Sequence, residues 1–283
     1  MSERDFVTAL SRGLAVIRAF DRDRPEMTLT EVAERTELSP ATARRSLYTL
    51  QRLGYISSHG RRFMLRSKVL DLGSAFWSSM KIEEVAQTHL RELVDAVGDS
   101  SSLAVLEGHD VLYLAHAASR RTIRMAAAPG ARFPAYCTSM GRAMLAWLEP
   151  PALDRYLASA ELKPLTDHTV TDRARLKAII LEVRRNGYAA TQDELDYGLS
   201  SVAVPVMIGD RAVAAINSSA NSARVSKDEL ARNRVAILQR TSAAISRAFE
   251  QSPALLHSLS GGEGEAYLWP LPASQLIEGR VTR

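Results

Sequence analysis

The stretch from Leu38 to Leu70 carries seven Lys and Arg side chains and no Asp or Glu. Such a run of cations repels itself unless it forms a solvated face or meets a polyanion. Residues 1–70 hold 13 Lys and Arg against 8 Asp and Glu, whereas the remainder of the chain has a net charge of −1. The basic excess therefore lies entirely in the N-terminal quarter, and this favours a nucleic-acid partner there over a solvated helix face.

Helix start signals divide this quarter into short elements. The segment Thr8–Phe20 has apolar residues at a helical period. Thr28 is followed three residues later by Glu31, which predicts a capping box. Ser39 and Pro40 predict an N-cap with proline at the first helical position. Three helices in succession are therefore expected, the last of them starting inside the acid-free stretch.

The third helix is expected to run from about Pro40 to Leu53. Its apolar residues fall three or four apart and are expected to face inward: Ala43, Leu47, Leu50 and Leu53. Two short strands, Tyr55–Ser57 and Arg62–Leu65, are expected to follow around a Ser-His-Gly turn. This order of elements predicts a winged helix-turn-helix.

The outer side of the third helix and the wing supply the candidate DNA contacts. Arginines and short hydroxyl side chains near a helix N-terminus can approach base edges and phosphates in a major groove. The wing tip suits backbone phosphates or the minor groove. The predicted DNA-binding residues are Thr28, Ser39, Ala41, Thr42, Arg44, Arg45, Tyr48, Arg52, His59, Arg61 and Arg62.

After this domain the pattern changes twice. An apolar stripe, formed by Val69, Leu70, Leu72, Phe76 and Trp77, predicts a linker helix. The stripe either packs within the chain or pairs with a second copy, and its place between two domains favours the second copy. From Ser101 onward, alternating strands joined by Gly-containing turns are interleaved with amphipathic helices, which predicts an α+β domain.

Composition and motifs exclude several classes of protein. The chain has no apolar run of the ~20 residues that span a bilayer, and its start has no secretory signal pattern, so a cytoplasmic location is expected. The single cysteine, Cys137, excludes an internal disulfide framework. No G-x-S-x-G elbow and no metal-ligand spacing occur. We therefore expect no enzyme activity, no cofactor, no metal and no membrane partner.

Six segments of the chain form a recognisable set: "SRGLAVIRAF", "LTEVAERTELSPATARRSLYTLQRLGYI", "LRSKVLDLGSAF", "FPAYCTSMGRAMLAWL", "LKPLTDHTVTD" and "DELDYGLSSVAVPV". Together they resemble the IclR family of bacterial transcriptional regulators. The resemblance extends to about Phe249 and is closest to the Pca/Pob branch, which controls aromatic-acid catabolism through the β-ketoadipate pathway. It implies a winged helix-turn-helix over residues 1–66, a linker helix over 67–82 and a GAF-like effector-binding domain over 83–252. Residues 253–283 are expected to form a flexible tail, and part of it, "IEGR", matches a protease-site sequence used in expression vectors.

The resemblance also implies an effector site at the start of the helix that contains "TSMGR". Free backbone amides at a helix start favour a carboxylate. Arg124, in the preceding strand, either pairs with an acid or is simply exposed. The predicted effector-binding residues are Arg124, Ser139, Met140, Gly141, Asp193, Glu194, Ser201, Asn217 and Ser219.

The expected partners follow from these assignments. They are double-stranded DNA with a palindromic operator, a small aromatic or dicarboxylic acid, and further copies of the chain in a homodimer or tetramer. Two other functions remain open on the sequence alone: an effector-free DNA-binding module, and an enzyme of small-molecule metabolism with an appended DNA-binding domain.

Overall fold

The computed structural model describes residues 6–21, 23–119 and 127–260. These residues divide into two compact units, and the division falls between Phe76 and Trp77. This boundary lies inside the segment predicted as a linker helix. No helix among the described residues is long and apolar enough to cross a bilayer.

Up to Leu65, the described residues of the first unit form three helices and a three-stranded antiparallel sheet with the order β1-β3-β2. Its elements are α1 (Thr8–Arg18), β1 (Glu26–Thr28), α2 (Leu29–Thr36), α3 (Pro40–Arg52), β2 (Ile56–His59) and β3 (Arg62–Leu65). Strand β1 was not predicted, because its three residues, which directly follow Pro25, carry no periodic signal. It pairs with β3 and adds a third strand to the wing.

Both predicted helix caps of the first unit are confirmed. The Thr28 backbone amide donates to a Glu31 carboxylate oxygen at 2.7 Å, and the Glu31 amide donates to the Thr28 hydroxyl at 3.3 Å. These bonds from Thr28 hold the pKa of Glu31 below its ordinary value. Ser39 caps α3, with Pro40 at its first position.

The core of the first unit differs from the expected one at the last apolar residue of the predicted third helix. Ala43, Leu47 and Leu50 are buried as predicted, but Leu53 is 52% exposed. Leu53 follows the last residue of the helix, where the chain turns into Gly54 with a φ of +86°. The helical period that predicted an inward side chain therefore no longer applies at this position.

The predicted linker is helical from Leu70 to Met80, which we name α4, after a short 3₁₀ turn at Ser67–Val69. Lys81, with a φ of +52°, ends it. The apolar stripe has two parts in the structure. Leu70 and Leu72 are largely exposed, whereas the indole nitrogen of Trp77 donates to the Leu114 carbonyl at 2.9 Å within the second unit.

The second unit is an antiparallel sheet flanked by helices, in the strand order β6-β5-β4-β9-β8-β7. Its strands are β4 (Ser100–Glu107), β5 (Asp110–Ala117), β6 (Arg132–Pro134), β7 (Ala189–Gln192), β8 (Leu199–Ile208) and β9 (Arg211–Asn221). Its helices are α5 (Thr88–Val97), α6 (Ser139–Leu145), α7 (Pro150–Ser159), α8 (Arg173–Asn186), α9 (Lys227–Glu250) and α10 (Pro253–Ser260). Helix α10 occupies the first residues of the segment expected to be a tail, and residues 261–283 lie outside the described part.

Helix α6 lies against one face of this sheet and contributes entirely buried residues to the main core. Gly141 makes this close approach possible, because a Cβ at this position would lie 2.1 Å from the Ala135 carbonyl oxygen. Thr138 caps the helix by accepting a hydrogen bond from the Gly141 amide at 3.2 Å. The glycine in "TSMGR" is therefore explained by packing.

Candidate functional sites

The exposed face of α3 presents cations that have no acidic partner among the described residues. Arg44, Arg45 and Arg52 are all exposed, and none of them lies within ion-pair distance of a described carboxylate. The guanidinium of Arg44 lies 5.5 Å from the centre of the exposed Tyr48 ring. A solvated helix face would gain from interspersed carboxylates, so this arrangement fits a surface that meets phosphates.

The other predicted DNA contacts are positioned less uniformly. Ala41, His59 and Arg61 are exposed on the helix and at the wing tip. Arg62, in contrast, faces Glu26 on the neighbouring strand, with Nε 3.5 Å from the carboxylate. Hydroxyls that could bond to DNA are used for capping instead: Thr28 bonds to Glu31, and Ser39 lies 2.9 Å from the Thr42 hydroxyl.

Four of the predicted effector-binding residues meet in one buried group, which we call the polar cluster: Ser139, Ser201, Asn217 and Ser219. The Ser139 and Ser201 hydroxyl oxygens are 2.8 Å apart, and those of Ser201 and Ser219 are 2.9 Å apart. The Asn217 amide nitrogen donates to Ser219 at 2.8 Å and to Ser201 at 3.1 Å. Residues from α6, β8 and β9 thus converge at one point.

The polar cluster has hydrogen-bonding capacity beyond its internal bonds. Its three hydroxyls bring three protons, and the two contacts between hydroxyls use two of them. The remaining proton has only the Ser218 carbonyl, 3.5 Å from Ser201, as a recorded acceptor. A buried donor without a good acceptor costs about 1–3 kcal/mol, so a bound acceptor such as a carboxylate would be favoured here.

The remaining predicted residues of the effector site have structural partners. Glu194 forms a buried bidentate ion pair with Arg142 of α6, and one of its two bonds measures 2.7 Å. Asp193 accepts from the Gly198 amide at 2.8 Å and from the Ser222 hydroxyl at 2.7 Å. Burial raises the pKa of Asp193, but the bonds from Ser222 and Gly198 outweigh it and leave the pKa below its ordinary value.

The start of α6 has fewer available amides than "TSMGR" indicates. The Gly141 amide is used by the Thr138 cap, and the Arg142 amide donates to the Thr138 carbonyl at 3.0 Å. Met140 is buried in the core beside them.

Arg124 lies outside the described residues. Burial raises the pKa of Cys137 to about 12, so its thiol stays protonated at neutral pH.

Sequence reasoning missed two polar side chains and the partner of Glu194. Ser102 and His116 stand beside the polar cluster on the strands β4 and β5, with the Ser102 hydroxyl 2.9 Å from the His116 Nδ1. A signal existed in the triple serine Ser100–Ser102, which pairs residue by residue with Asn217–Ser219. Arg142 gave no signal, since a buried cation in a short helix cannot be recognised from periodicity.

Comparison with known proteins agrees with this architecture. Residues 9–60 match the family described as the IclR helix-turn-helix domain, and residues 74–247 match "Bacterial transcriptional regulator IclR C-terminal". The chain belongs to the IclR family. It is therefore an IclR-type transcriptional regulator with a DNA-binding domain and an effector domain, and the two-domain α+β prediction is confirmed.

Three similar proteins illustrate this membership, and two of them carry the names of the Pca/Pob branch. The Pca regulon regulatory protein of Pseudomonas putida is 42% identical over 236 residues, which are 83% of this chain and 81% of the relative. A transcriptional regulator from Rhodococcus sp. RHA1 is 41% identical with a TM-score of 0.72, covering 87% of this chain and 99% of that one. A double mutant of the PobR inducer-binding domain from Acinetobacter, in complex with 3-hydroxybenzoic acid, is 27% identical with a TM-score of 0.54. That alignment covers 58% of this chain and 96% of the PobR domain. The predicted resemblance to the Pca/Pob branch is confirmed.

The geometry predicts that Glu194 in this IclR-type regulator stabilises the fold. Glu194→Gln would leave the buried Arg142 without a counter-charge, and we expect a loss of about 3–5 kcal/mol in the free energy of unfolding. The double variant Arg142→Met/Glu194→Leu should recover most of this loss, because neither charge remains. Denaturation in urea measures all three proteins.

The matched control is Glu161→Gln, which removes an exposed carboxylate 3.2 Å from Lys163. It should change the stability by less than about 1 kcal/mol. If Glu194→Gln kept the stability of the unaltered protein, the structural role of this pair would be wrong.

Proposed function

We propose that the chain binds a palindromic operator as a homodimer or a dimer of dimers. We further propose that it controls genes of aromatic-acid catabolism in response to a small aromatic or dicarboxylic acid. The observation that carries the effector part is the buried polar cluster, in which one hydroxyl proton has only the Ser218 carbonyl, 3.5 Å from Ser201, as an acceptor. The PobR inducer-binding domain, which is in complex with 3-hydroxybenzoic acid, supports an aromatic acid as the ligand, and the similarity to the Pca regulon regulatory protein supports the pathway. A regulator of this kind acts on DNA in the cytoplasm.

The first prediction concerns DNA. Arg44→Ala or Arg45→Ala should weaken operator binding without lowering the unfolding temperature, because both side chains are exposed and unpaired with described carboxylates. If the lost contact is to a phosphate, the slope of log affinity against log salt concentration should become shallower by about 1. If it is to a guanine, about 1–3 kcal/mol of specificity should be lost at one base. Titration of labelled operator at several salt concentrations measures both.

Arg185→Ala is the control for these variants, since Arg185 is an exposed cation on α8 in the second unit. It should leave operator affinity unchanged. Unaltered affinity in both the Arg44 and Arg45 variants would contradict the assignment of α3 as the recognition helix.

The second prediction concerns dimerisation. The first unit has an apolar groove of about 740 Å³ between α1, α3 and the start of α4, lined in part by Leu10, Leu14, Ile17, Leu53 and Leu72. Leu10 and Leu72 are 64% and 48% exposed. A contiguous apolar surface of this kind favours a partner, and two recognition helices related by a two-fold axis need a second copy beside them.

Leu72→Glu should therefore lower the oligomeric state by one step, from tetramer to dimer or from dimer to monomer. The mass measured by light scattering at micromolar concentration reports this change. Leu181→Glu, at a leucine of α8 that is 44% exposed, is the matched control and should leave the mass unchanged. An unaltered protein that is strictly monomeric and binds one half-site would be incompatible with the proposal.

The third prediction concerns the effector. Titration calorimetry with 4-hydroxybenzoate, protocatechuate and β-ketoadipate should give heat for at least one acid. Ser139→Trp should abolish this heat, because it replaces the hydroxyl that lies 2.8 Å from the Ser201 hydroxyl with an indole. Arg44→Ala should retain it, since its change lies in the DNA-binding unit.

The thermal unfolding curve of each variant shows whether it is folded. Silence of the folded, DNA-binding protein across the whole panel would falsify acid sensing and would favour an effector-free DNA-binding module.

A further inference from the structure

His116 lies on the same face of the sheet as the polar cluster. It pairs with Ser102 across β5 and β4, and Ser102 pairs with Asn217 across β4 and β9. Directly paired residues project their side chains from the same face of a sheet. The face that carries Asn217, Ser219 and Ser201 therefore continues through Ser102 to His116.

Hydrogen bonds connect this row from end to end. The His116 Nδ1 lies 2.9 Å from the Ser102 hydroxyl, and the Ser102 backbone amide donates to the Asn217 side-chain oxygen at 2.9 Å. The Asn217 amide nitrogen then reaches Ser201 and Ser219. The orientation of Asn217 is fixed by these bonds, because its oxygen must accept from a backbone N–H.

The second ring nitrogen of His116, Nε2, is available. It has no hydrogen-bond partner among the described residues. It is also not fully buried, since it does not occur among their polar atoms that are both buried and unpartnered. The imidazole is half-buried. It therefore presents one polar atom at the end of a fixed row, on the side of the sheet where α6 and the polar cluster lie.

We propose that Nε2 of His116 binds the ring hydroxyl of the effector, while the carboxylate of the same molecule binds at Ser139. This inference rests on the acid sensing proposed above. The row runs from β8 to β5, which are three strand spacings or roughly 14 Å apart. A one-ring acid with a hydrogen bond at each end spans such a row.

The alternative acceptors for a ring hydroxyl are already used. Asp193 and Glu194 were predicted as effector-binding residues, but the Asp193 carboxylate accepts from protein donors and that of Glu194 from the Arg142 guanidinium. His116 differs because only Nδ1 is engaged. Since Ser102 can either donate to Nδ1 or accept from it, Nε2 can act as the acceptor or the donor toward a hydroxyl.

Burial also lowers the pKa of His116 below its ordinary value. A neutral ring favours a neutral hydroxyl over the second carboxylate of a dicarboxylic acid, which would gain more from an imidazolium. The inference therefore narrows the effector class from acids in general to hydroxylated benzoates.

Calorimetry on the full chain with 4-hydroxybenzoate, 3-hydroxybenzoate, 3,4-dihydroxybenzoate and benzoate tests this. We expect the unaltered protein to prefer at least one hydroxylated acid over benzoate. His116→Leu should lower the affinity for the preferred acid by about 3- to 10-fold, as for one lost hydrogen bond, and leave benzoate affinity unchanged. The ratio of the two affinities is the decisive quantity.

His109→Leu is the matched control, because His109 forms the same kind of contact with Ser159, at 2.8 Å, in the same unit. It should leave the ratio unchanged. A second measurement needs no variant: the side-chain ¹⁵N signal of His116 Nε2 should shift with the preferred acid and much less with benzoate.

The outcomes separate the two proposals. Suppose that the unaltered protein binds an acid. If His116→Leu then lowered the affinity for benzoate as much as that for the hydroxylated acids, or if the ¹⁵N signal showed no selective shift, only the role of His116 would be overturned. No binding of any acid to the unaltered protein would overturn acid sensing, and the role of His116 with it.

Discussion

The ion pair between Arg142 and Glu194 determines where helix α6 lies on the sheet. Both side chains are almost wholly buried, and the Arg142 Nε also donates to the Tyr136 carbonyl at 2.8 Å. Taking two charges out of water costs several kcal/mol each, which is recovered only where the geometry is good and the remaining donors are bonded. Such a pair tolerates little displacement, so it fixes the helix relative to the strand that follows Glu194.

The position of Ser139 depends on this constraint. Ser139 lies three residues before Arg142 at the start of α6, and Gly141 between them lets the helix approach the Ala135 backbone closely. Under these conditions the Ser139 hydroxyl reaches Ser201 on β8. The buried charges thus serve the candidate effector site indirectly: they orient the polar cluster without occupying its hydrogen-bonding capacity.

Much of this could be predicted from the sequence, because the signals are local. The caps at Thr28 and Ser39 and the order of helices and wing strands follow from residue spacing alone. The family resemblance supplied Ser139, Ser201, Asn217 and Ser219, which do come together. It could not separate them from Glu194, whose role depends on a cation 52 positions away. His116 was missed for the same reason, since its neighbours are set by strand register.

A ligand in this site can regulate DNA binding only if it favours one arrangement of the protein over another. Strand β5 offers a physical connection for such an effect. The Leu114 carbonyl holds the indole of Trp77 in α4, and the His116 carbonyl accepts from the Gln87 side chain at 3.0 Å. Helix α4 continues without a break into the residues of the DNA-binding unit. A ligand hydroxyl bound at His116 would therefore lie two residues along β5 from Leu114, whose carbonyl anchors α4 through Trp77. A carboxylate bound at Ser139 alone would lie three strands away from that bond.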